Sequence, residues 1–504
     1  MTSCKAAWAK TANGAGAGAG TVVLVLEKGR FTHLRCAAME RVLADMERAF
    51  FLLDQGTRFN GVQTVKLRGP VDVALLQKSL SRMQERHPLL RIRLRGDDAR
   101  LVITDEDSGP LPLTVLPRHS DTDWIAVAET ELNRPFLVTD DHLTRLVLLR
   151  GDDVSELVLA HHHLTADALS ILFLIRDLLT DLETLRHDQT PEPPFEPSFE
   201  PPLPSLPLRP PMPDLLPKRA RGLSLLVPMN HFFWKHVVAR PFRRAVSMPQ
   251  ETRVPPDQRQ NRLVHRALPP PVTRALLSLA KQQRTTLHGA LSAALLLATT
   301  HEVFSDRVAR QKTTRVGCFA AVNLRGVLPP EVREEMGLYI SQVTTFHRVI
   351  PEPSFWDLSR QVRARLTRTL AHGEQYLTLP LIGLFIPRSG QVARRFVRRF
   401  DGASPGLTGL TNLQTLPIPL RYGALSILDH QVTVGVSVVG QLLLAVTTVR
   451  DKLNLNFIYL NPLVSPDRAQ RIADAVVLRL TQAAEQEPQE PQEPQAPQGS
   501  KGVP

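Results

Sequence analysis

Residues 161–167 read His-His-His-Leu-Thr-Ala-Asp: three adjacent imidazoles, then a carboxylate four positions after the last. Three roles suit such a string. His161 and His163, two apart on an extended strand end, could share a face and ligate a metal. A metal site normally takes three or four ligands with supporting hydrogen bonds, and the only nearby group is the weak Asp140-Asp141-His142. No metal is therefore expected. Alternatively the imidazoles are only hydrogen-bonded, and Asp167 suits the positive end of a helix dipole. In the third role a neutral imidazole, with a reference pKa of about 6.5, takes a proton from a hydroxyl or amine near neutral pH. Asp167, inside the first helical turn, then braces the loop or an arginine across a cleft. In isolation the string favours the second role, and its placement favours the third.

That placement comes from the flanking elements. Leu143–Ala160 alternates as a hairpin turning at Gly151-Asp152-Asp153 and ends at the histidines. After them Ile171, Leu172, Ile175, Leu178, Leu179, Leu182 and Leu185 recur at helical spacing. A strand-to-helix junction is exposed at one end of a sheet, where a side chain can face a cleft on a rigid scaffold. Upstream, a helix is expected over 39–55, a strand over 61–69, a helix over 72–90 stopped by Pro88, and a hairpin over 91–104 turning at Gly96-Asp97-Asp98. A second αβ pattern starts near Arg262. It has two helices over 269–300, strands near 313–326, 339–350, 424–440 and 441–460, and a last helix over 466–486. Strands and helices mix without regular βαβ alternation, so the expected class is α+β in each half with a cleft between them.

The expected division is a tail over 1–38, a first half over 39–187, a Pro-rich and basic linker over 188–261, a second half over 262–484, and a low-complexity tail over 485–504. Two or three domains suit 504 residues at about 150 residues each. A hydrophobic content of 43% allows a large core, and a net charge of +12 suits an acidic partner. That partner could be a phosphorylated cofactor, an acidic carrier protein or an anionic membrane surface. Nucleic acid fits least, because aromatic residues are 5% and no nucleic-acid-binding signature is present. Cys4, Cys36 and Cys318 are too few and too scattered for a disulfide framework, which suggests a reducing compartment and a cytoplasmic protein. No apolar run reaches the roughly 18 residues that span a bilayer. Residues 218–248 hold Lys218, Arg219, Arg221, Lys235, Arg240, Arg243 and Arg244 around Phe232, Phe233 and Trp234, without an acid. They read either as a peripheral contact with an anionic membrane or as a solvated connector whose aromatics pack on the protein.

His162-His163-Leu164-Thr165-Ala166-Asp167-Ala168 resembles the HHxxxDG signature of the condensation-domain and acyltransferase family related to chloramphenicol acetyltransferase, with Ala168 where glycine is usual. Other segments resemble the family in the same order: RHPLLRIRL (86–94), LNRPFLVTDDHLTRLVLL (132–149), TLHGALSAALLLA (286–298), AAVNLRG (320–326) and MGLYISQ (336–342). TNLQTLPIPLRYGALSI (411–427) is similar to a segment of lipid-directed members such as phthiocerol/phthiodiolone dimycocerosyl transferases and alcohol acyltransferases, with Gln414 where glycine is expected. The resemblance covers about residues 39–484. It implies two chloramphenicol-acetyltransferase-like halves in a pseudo-dimer, with a channel at their interface. It further implies His163 as general base, His162 in support, Asp167 pairing with Arg325, and Thr411 and Asn412 near the oxyanion. The implied donor is a thioester on CoA or an acidic acyl carrier protein (a co-substrate, with no other cofactor), and the acceptor is an alcohol or an amine. Ester formation on a lipid or polyketide-like alcohol is the main expectation. An amide-forming condensation enzyme and a non-catalytic homologue that binds a carrier protein or lipid are the alternatives.

Overall fold

In this computed structural model the described residues are 25–27, 30–32 and 40–486, without 56, 97–100, 106–108, 139–141, 189–203, 235–244, 351–353, 378–380, 382, 384–400, 402–407 and 438–439. Most of the expected 1–38 tail, the expected low-complexity tail beyond 486, the Pro-rich stretch 189–203, the turn at Asp97-Asp98 and the Asp140-Asp141 pair lie outside the described residues. In chain order the principal elements are α1 (Asp45–Asp54), β1 (Asn60–Arg68), α2 (Val73–Arg86), β2 (Leu113–Pro117), α3 (Asp123–Asn133), β3 (Thr144–Arg150), β4 (Val154–His162), α4 (Ala168–His187), β5 (Gln260–Leu268), α5 (Pro270–Gln282) and α6 (Leu287–Val303). They continue with β6 (Thr314–Asn323), β7 (Ile340–Val349), α7 (Phe355–Ala371), β8 (Thr408–Thr415), β9 (Arg421–Tyr422), β10 (Leu425–Val434), β11 (Leu442–Val449), β12 (Lys452–Asn461) and α8 (Pro466–Glu485).

Two six-stranded sheets carry the fold, in the orders β9-β10-β1-β4-β3-β2 and β5-β12-β11-β8-β6-β7. They share a pairing pattern. β1/β4 and β4/β3 are antiparallel and β3/β2 is parallel; likewise β5/β12 and β12/β11 are antiparallel and β11/β8 is parallel. The second core is centred on α6, whose Leu291, Leu295 and Leu296 are fully buried. Each such leucine contributes about 1.5–3 kcal/mol relative to an exposed one.

Two segments differ from the sequence-based expectation. The helix expected over 39–55 starts only at Asp45, because Glu40–Val42 pairs as a strand with Val102–Asp105. Glu47 explains the boundary: it accepts from the Ala44 amide (2.9 Å) and is held by Arg41 (2.6 and 2.7 Å), which caps the helix there. The second difference concerns β10. It belongs to the second half of the chain but joins the first sheet, antiparallel to β1 from Ser426↔Arg68 to Val434↔Gly61. Its Ile427 and Val432 enter the first core.

β10 thus covers what would otherwise be an open edge of β1, and an open strand edge invites aggregation. Residues 1–261 expressed alone are expected to aggregate or to melt without cooperativity. A soluble monomeric fragment with a cooperative thermal transition would show that the β10 pairing is dispensable.

Candidate active site

The histidines sit where β4 ends. Asn60 is paired with His162, and Gly61 with His161, on β1, while Thr144 of β3 lies on the other side of His161. Strand alternation sends His161 and His162 to opposite faces. His161 lies directly over Gly61: a Cβ there would come within 2.3 Å of its Cε1, so this position takes glycine for the close approach of a ring. His162 is sealed on the other side. Its Nδ1 accepts from the Leu164 amide (3.2 Å), which leaves the proton on Nε2, 3.8 Å from Asp54 Oδ2. Asp54 also accepts from the Phe59 amide (2.7 Å), so this face braces the loop that carries Phe59.

The chain then turns tightly, with the Thr165 amide and hydroxyl both donating to His162 O (3.0 and 2.9 Å). His163 follows the strand and faces a cavity. Its Nδ1 is 2.9 Å from Ala166 O, and a carbonyl can only accept, so Nδ1 carries the proton and Nε2 carries the lone pair. Phe50 and Phe59 flank the ring at 4.9 and 5.1 Å between centroids. Burial pushes the His163 imidazole below its ordinary pKa, against the pull of the Ala166 carbonyl and the Asp167 charge. It is therefore neutral near pH 7. Burial also takes His161 down to about 3, with the nearby His163 adding to the effect, and His162 down to about 4.

Asp167 does not hold His163 directly. It caps α4, accepting from the Ser170 amide (2.9 Å) on Oδ1. Its Oδ2 accepts from Arg325 Nη1 (2.6 Å) and from the Tyr339 amide (2.9 Å), both on the other side of the cavity. Arg325 Nη2 donates to Ser170 Oγ (2.7 Å), and the Asp167 amide donates to Gly337 O (3.1 Å). Both ions are buried. Burial alone would raise the Asp167 carboxyl, but the Arg325 charge and these hydrogen bonds outweigh it and hold it below the usual carboxylate range.

The cavity has a volume of about 370 Å³ and lies between β1, β4 and β10 of one sheet and β6, β7 and β8 of the other. His161, His163, Asp167, Arg325, Thr411 and Asn412 all line it. His162 does not. Asn412 Oδ1 accepts from the Gln414 amide (2.8 Å), which leaves its NH₂ as a donor. The positions that depart from the family pattern are both accommodated. Ala168 is the first helical residue of α4. Gln414 takes the left-handed conformation that glycine favours (φ +61°), at the bulge in β8 between Asn412 and Thr415. Sequence reasoning missed Phe50, Phe59, Gly61 and Gln63 as lining residues. Gln63 links His430 Nε2 (2.8 Å) on β10 to Ala168 O (2.7 Å). Gly61 within an otherwise β-forming stretch was the one available signal. Among the described residues no three His, Cys, Asp or Glu side chains are grouped to hold a metal ion, and no helix is long and apolar enough to cross a membrane.

Two sheets thus meet over a histidine-lined cavity, with the loop aspartate bound to an arginine on the far side. A condensation domain model matches residues 49–200, and a model of the phthiocerol/phthiodiolone dimycocerosyl transferase C-terminus matches residues 258–395. The first stretch is thus similar to condensation domains, and the second to the C-terminal part of dimycocerosyl transferases. It is 25% identical over 404 residues to the phthiocerol/phthiodiolone dimycocerosyl transferase of Mycobacterium ulcerans, covering 76% of this chain and 83% of that one. It is 29% identical over 115 residues to the bassianolide nonribosomal cyclodepsipeptide synthetase of Beauveria bassiana, and spans only 4% of that protein's length. In fold it is similar to polyketide synthase associated protein 5 from Mycobacterium tuberculosis, with a TM-score of 0.62, 18% identity, and coverage of 88% of this chain and 99% of that one. The likeness to a trichothecene 15-O-acetyltransferase from Fusarium sporotrichioides has a TM-score of 0.66, with 14% identity and coverage of 89% and 96%.

Arg325→Ala leaves the Asp167 carboxylate buried without its partner, and a loss of about 3–5 kcal/mol of stability is expected by chemical denaturation. The buried histidines make a second prediction. Their folded pKa values lie below the unfolded value of about 6.5, so the unfolded chain binds more protons as pH falls from there towards about 4. Stability is complete above pH about 6.5 and drops on acidification, by up to about 1.4 kcal/mol per pH unit for each histidine. In His162→Asn, whose side-chain oxygen can still accept from Leu164, urea titrations at a series of pH values should show a shallower slope. An unchanged slope would mean that His162 is not held neutral by burial.

Proposed function

We propose that the protein transfers an acyl group from a thioester to a hydroxyl acceptor, with His163 Nε2 as general base. The observation that carries this is the His163 ring itself: Nδ1 is committed to the Ala166 carbonyl, and the opposite nitrogen is the one available to a bound acceptor. Nε2 removes the acceptor proton as its oxygen attacks the thioester carbonyl, forming a tetrahedral oxyanion. That intermediate collapses by breaking the C–S bond, and the imidazolium proton goes to the departing thiolate. The lowered pKa of His163 keeps the base unprotonated at neutral pH. Thr411 and the Asn412 amide are the proposed oxyanion donors, reaching the cavity from the second sheet. Asp167 and Arg325 act at one remove, fixing the loop that orients the ring.

Two features of the cavity favour a neutral, apolar alcohol over an amine. Its lining includes Phe50, Phe59, Leu169, Phe319, Ile340 and Leu443. Asp167 is the only acidic residue among the described lining residues, and Arg325 already neutralises it. A protonated amine would therefore meet no free counter-charge. The relatives named for phthiocerol/phthiodiolone dimycocerosyl transfer and for trichothecene 15-O-acetylation support O-acylation. The donor thiol is that of CoA or of a carrier-protein phosphopantetheine, and the net charge of +12 suits the phosphates of either.

The test is thiol release from acyl-CoAs of increasing length, and from an acylated carrier protein, with long-chain alcohols or amines as acceptors. Alcohol-dependent release is expected, reduced by about 10²–10⁴-fold in His163→Ala. The acid limb of the kcat/KM profile should have its midpoint below pH 6.5, because only the neutral imidazole acts as base. Release with amines alone would replace the ester by an amide product. Binding of acyl thioester without release from either donor would reduce the protein to a binding homologue.

A further inference from the structure

Between the first sheet and β5 the chain runs through a short helix, Leu226–Phe233, anchored from upstream by the buried Met212, Leu216, Ala220 and Leu225. One side of this helix is docked. Pro228 packs on Gly373, where a Cβ would lie 3.2 Å from its Cγ. The His231 ring stacks on His372 at 4.0 Å and 10°, and its Nδ1 is 3.2 Å from Glu374 Oε1. At about 100° per residue Pro228 and His231 share a face. Leu226 and Phe233 fall on the opposite one, and Val227 and Trp234 lie together at its margin.

That opposite face carries large apolar side chains into solvent. Together with Leu223 in the preceding turn, these residues are between 50% and 84% exposed. A soluble protein does not expose five clustered large hydrophobic side chains without use for them. Lys218, Arg219 and Arg221 are exposed just upstream, and the sequence has no Asp or Glu between Asp214 and Glu251. The chemistry is therefore apolar at the tip and cationic at the flank.

We infer that this face docks on an anionic lipid bilayer, with Leu223, Val227 and Trp234 entering the headgroup–acyl boundary and the three cations meeting lipid phosphates. The arrangement fits a bilayer better than an acidic protein, because solvent-exposed apolar side chains flanked by cations match the headgroup–acyl boundary of an anionic membrane. Docking does not depend on the acyl-transfer reading, since vesicle binding requires no turnover.

The experiment is flotation of the full chain with phosphatidylcholine vesicles, with and without phosphatidylglycerol, at low and high salt. Binding to the anionic vesicles at least about tenfold tighter than to neutral ones, and weakened by salt, is expected. The double variant Leu223→Asp/Val227→Asp should lose binding with an unchanged melting temperature. Lys218→Glu/Arg219→Glu should lose the preference for anionic lipid. Trp124 and Trp356 are buried, and Trp8 is retained in the variant, so a vesicle-induced blue shift of tryptophan emission that disappears in Trp234→Phe would place Trp234 in the bilayer. The inference is overturned by absence of vesicle binding, by equal partition of wild type and both variants onto either vesicle, or by a self-associated wild type that the Leu223→Asp/Val227→Asp change converts to monomer.

Discussion

The site depends on one buried ion pair, Asp167 with Arg325, which ties the end of the first sheet to the loop that follows β6 in the second. Burying two charges is expensive, and a buried pair adds little net stability over a well-packed apolar substitute. Its value here is directional. Asp167 Oδ1 fixes the start of α4 and Oδ2 fixes Arg325 and the Tyr339 amide, so one carboxylate sets the distance between the two walls of the cavity. His163 needs that constraint because its own hydrogen bond is local, to a carbonyl three residues away. The ring is oriented by its loop, and the loop is oriented by the pair.

Burial keeps charge from the rest of the junction. His161 and His162 are neutral under any condition near pH 7, so the three adjacent imidazoles carry no mutual repulsion. His162 spends its nitrogens on the Leu164 amide and on the Asp54 side, where it supports Phe59. Phe59 and Phe50 then close on the His163 ring. A cationic state of His163 is costly in that setting.

Local features were legible in the sequence, and long-range ones were not. The β3–β4 hairpin, the α4 periodicity and the histidine junction depend on neighbouring residues, and the structure has all three. The alternation of Leu425–Val434 marks a strand but says nothing about its partner, and β10 crosses to the first sheet. Glu40–Val42 had too few residues to register against the helix pattern that follows it. In the site, spacing singled out His163 and Asp167, whereas Arg325, Thr411 and Asn412 came from resemblance alone. The aromatic walls Phe50 and Phe59 sit more than one hundred residues upstream, where nothing in the sequence connects them to a histidine. The Gly61 signal was visible but needed the β1/β4 register to acquire meaning.

The repeated pairing pattern sharpens the role of Asp167. The junction after β12 corresponds to the junction after β4, since each follows the strand paired with the first strand of its sheet and leads into a long helix. In the second half the helix cap is Ser465, whose hydroxyl accepts from the Arg468 amide at 3.3 Å, and the strand and turn leading to it (452–464) contain no histidine. A serine thus suffices to cap the helix at that place in the fold. Capping alone cannot account for a carboxylate at 167, whose desolvation a neutral hydroxyl would have avoided. What the carboxylate adds is the second oxygen that engages Arg325 and Tyr339, and it occurs at the junction that carries the histidines. The charge therefore belongs to the joining of the two walls of the cavity, and the fold uses it at only one of its two equivalent positions.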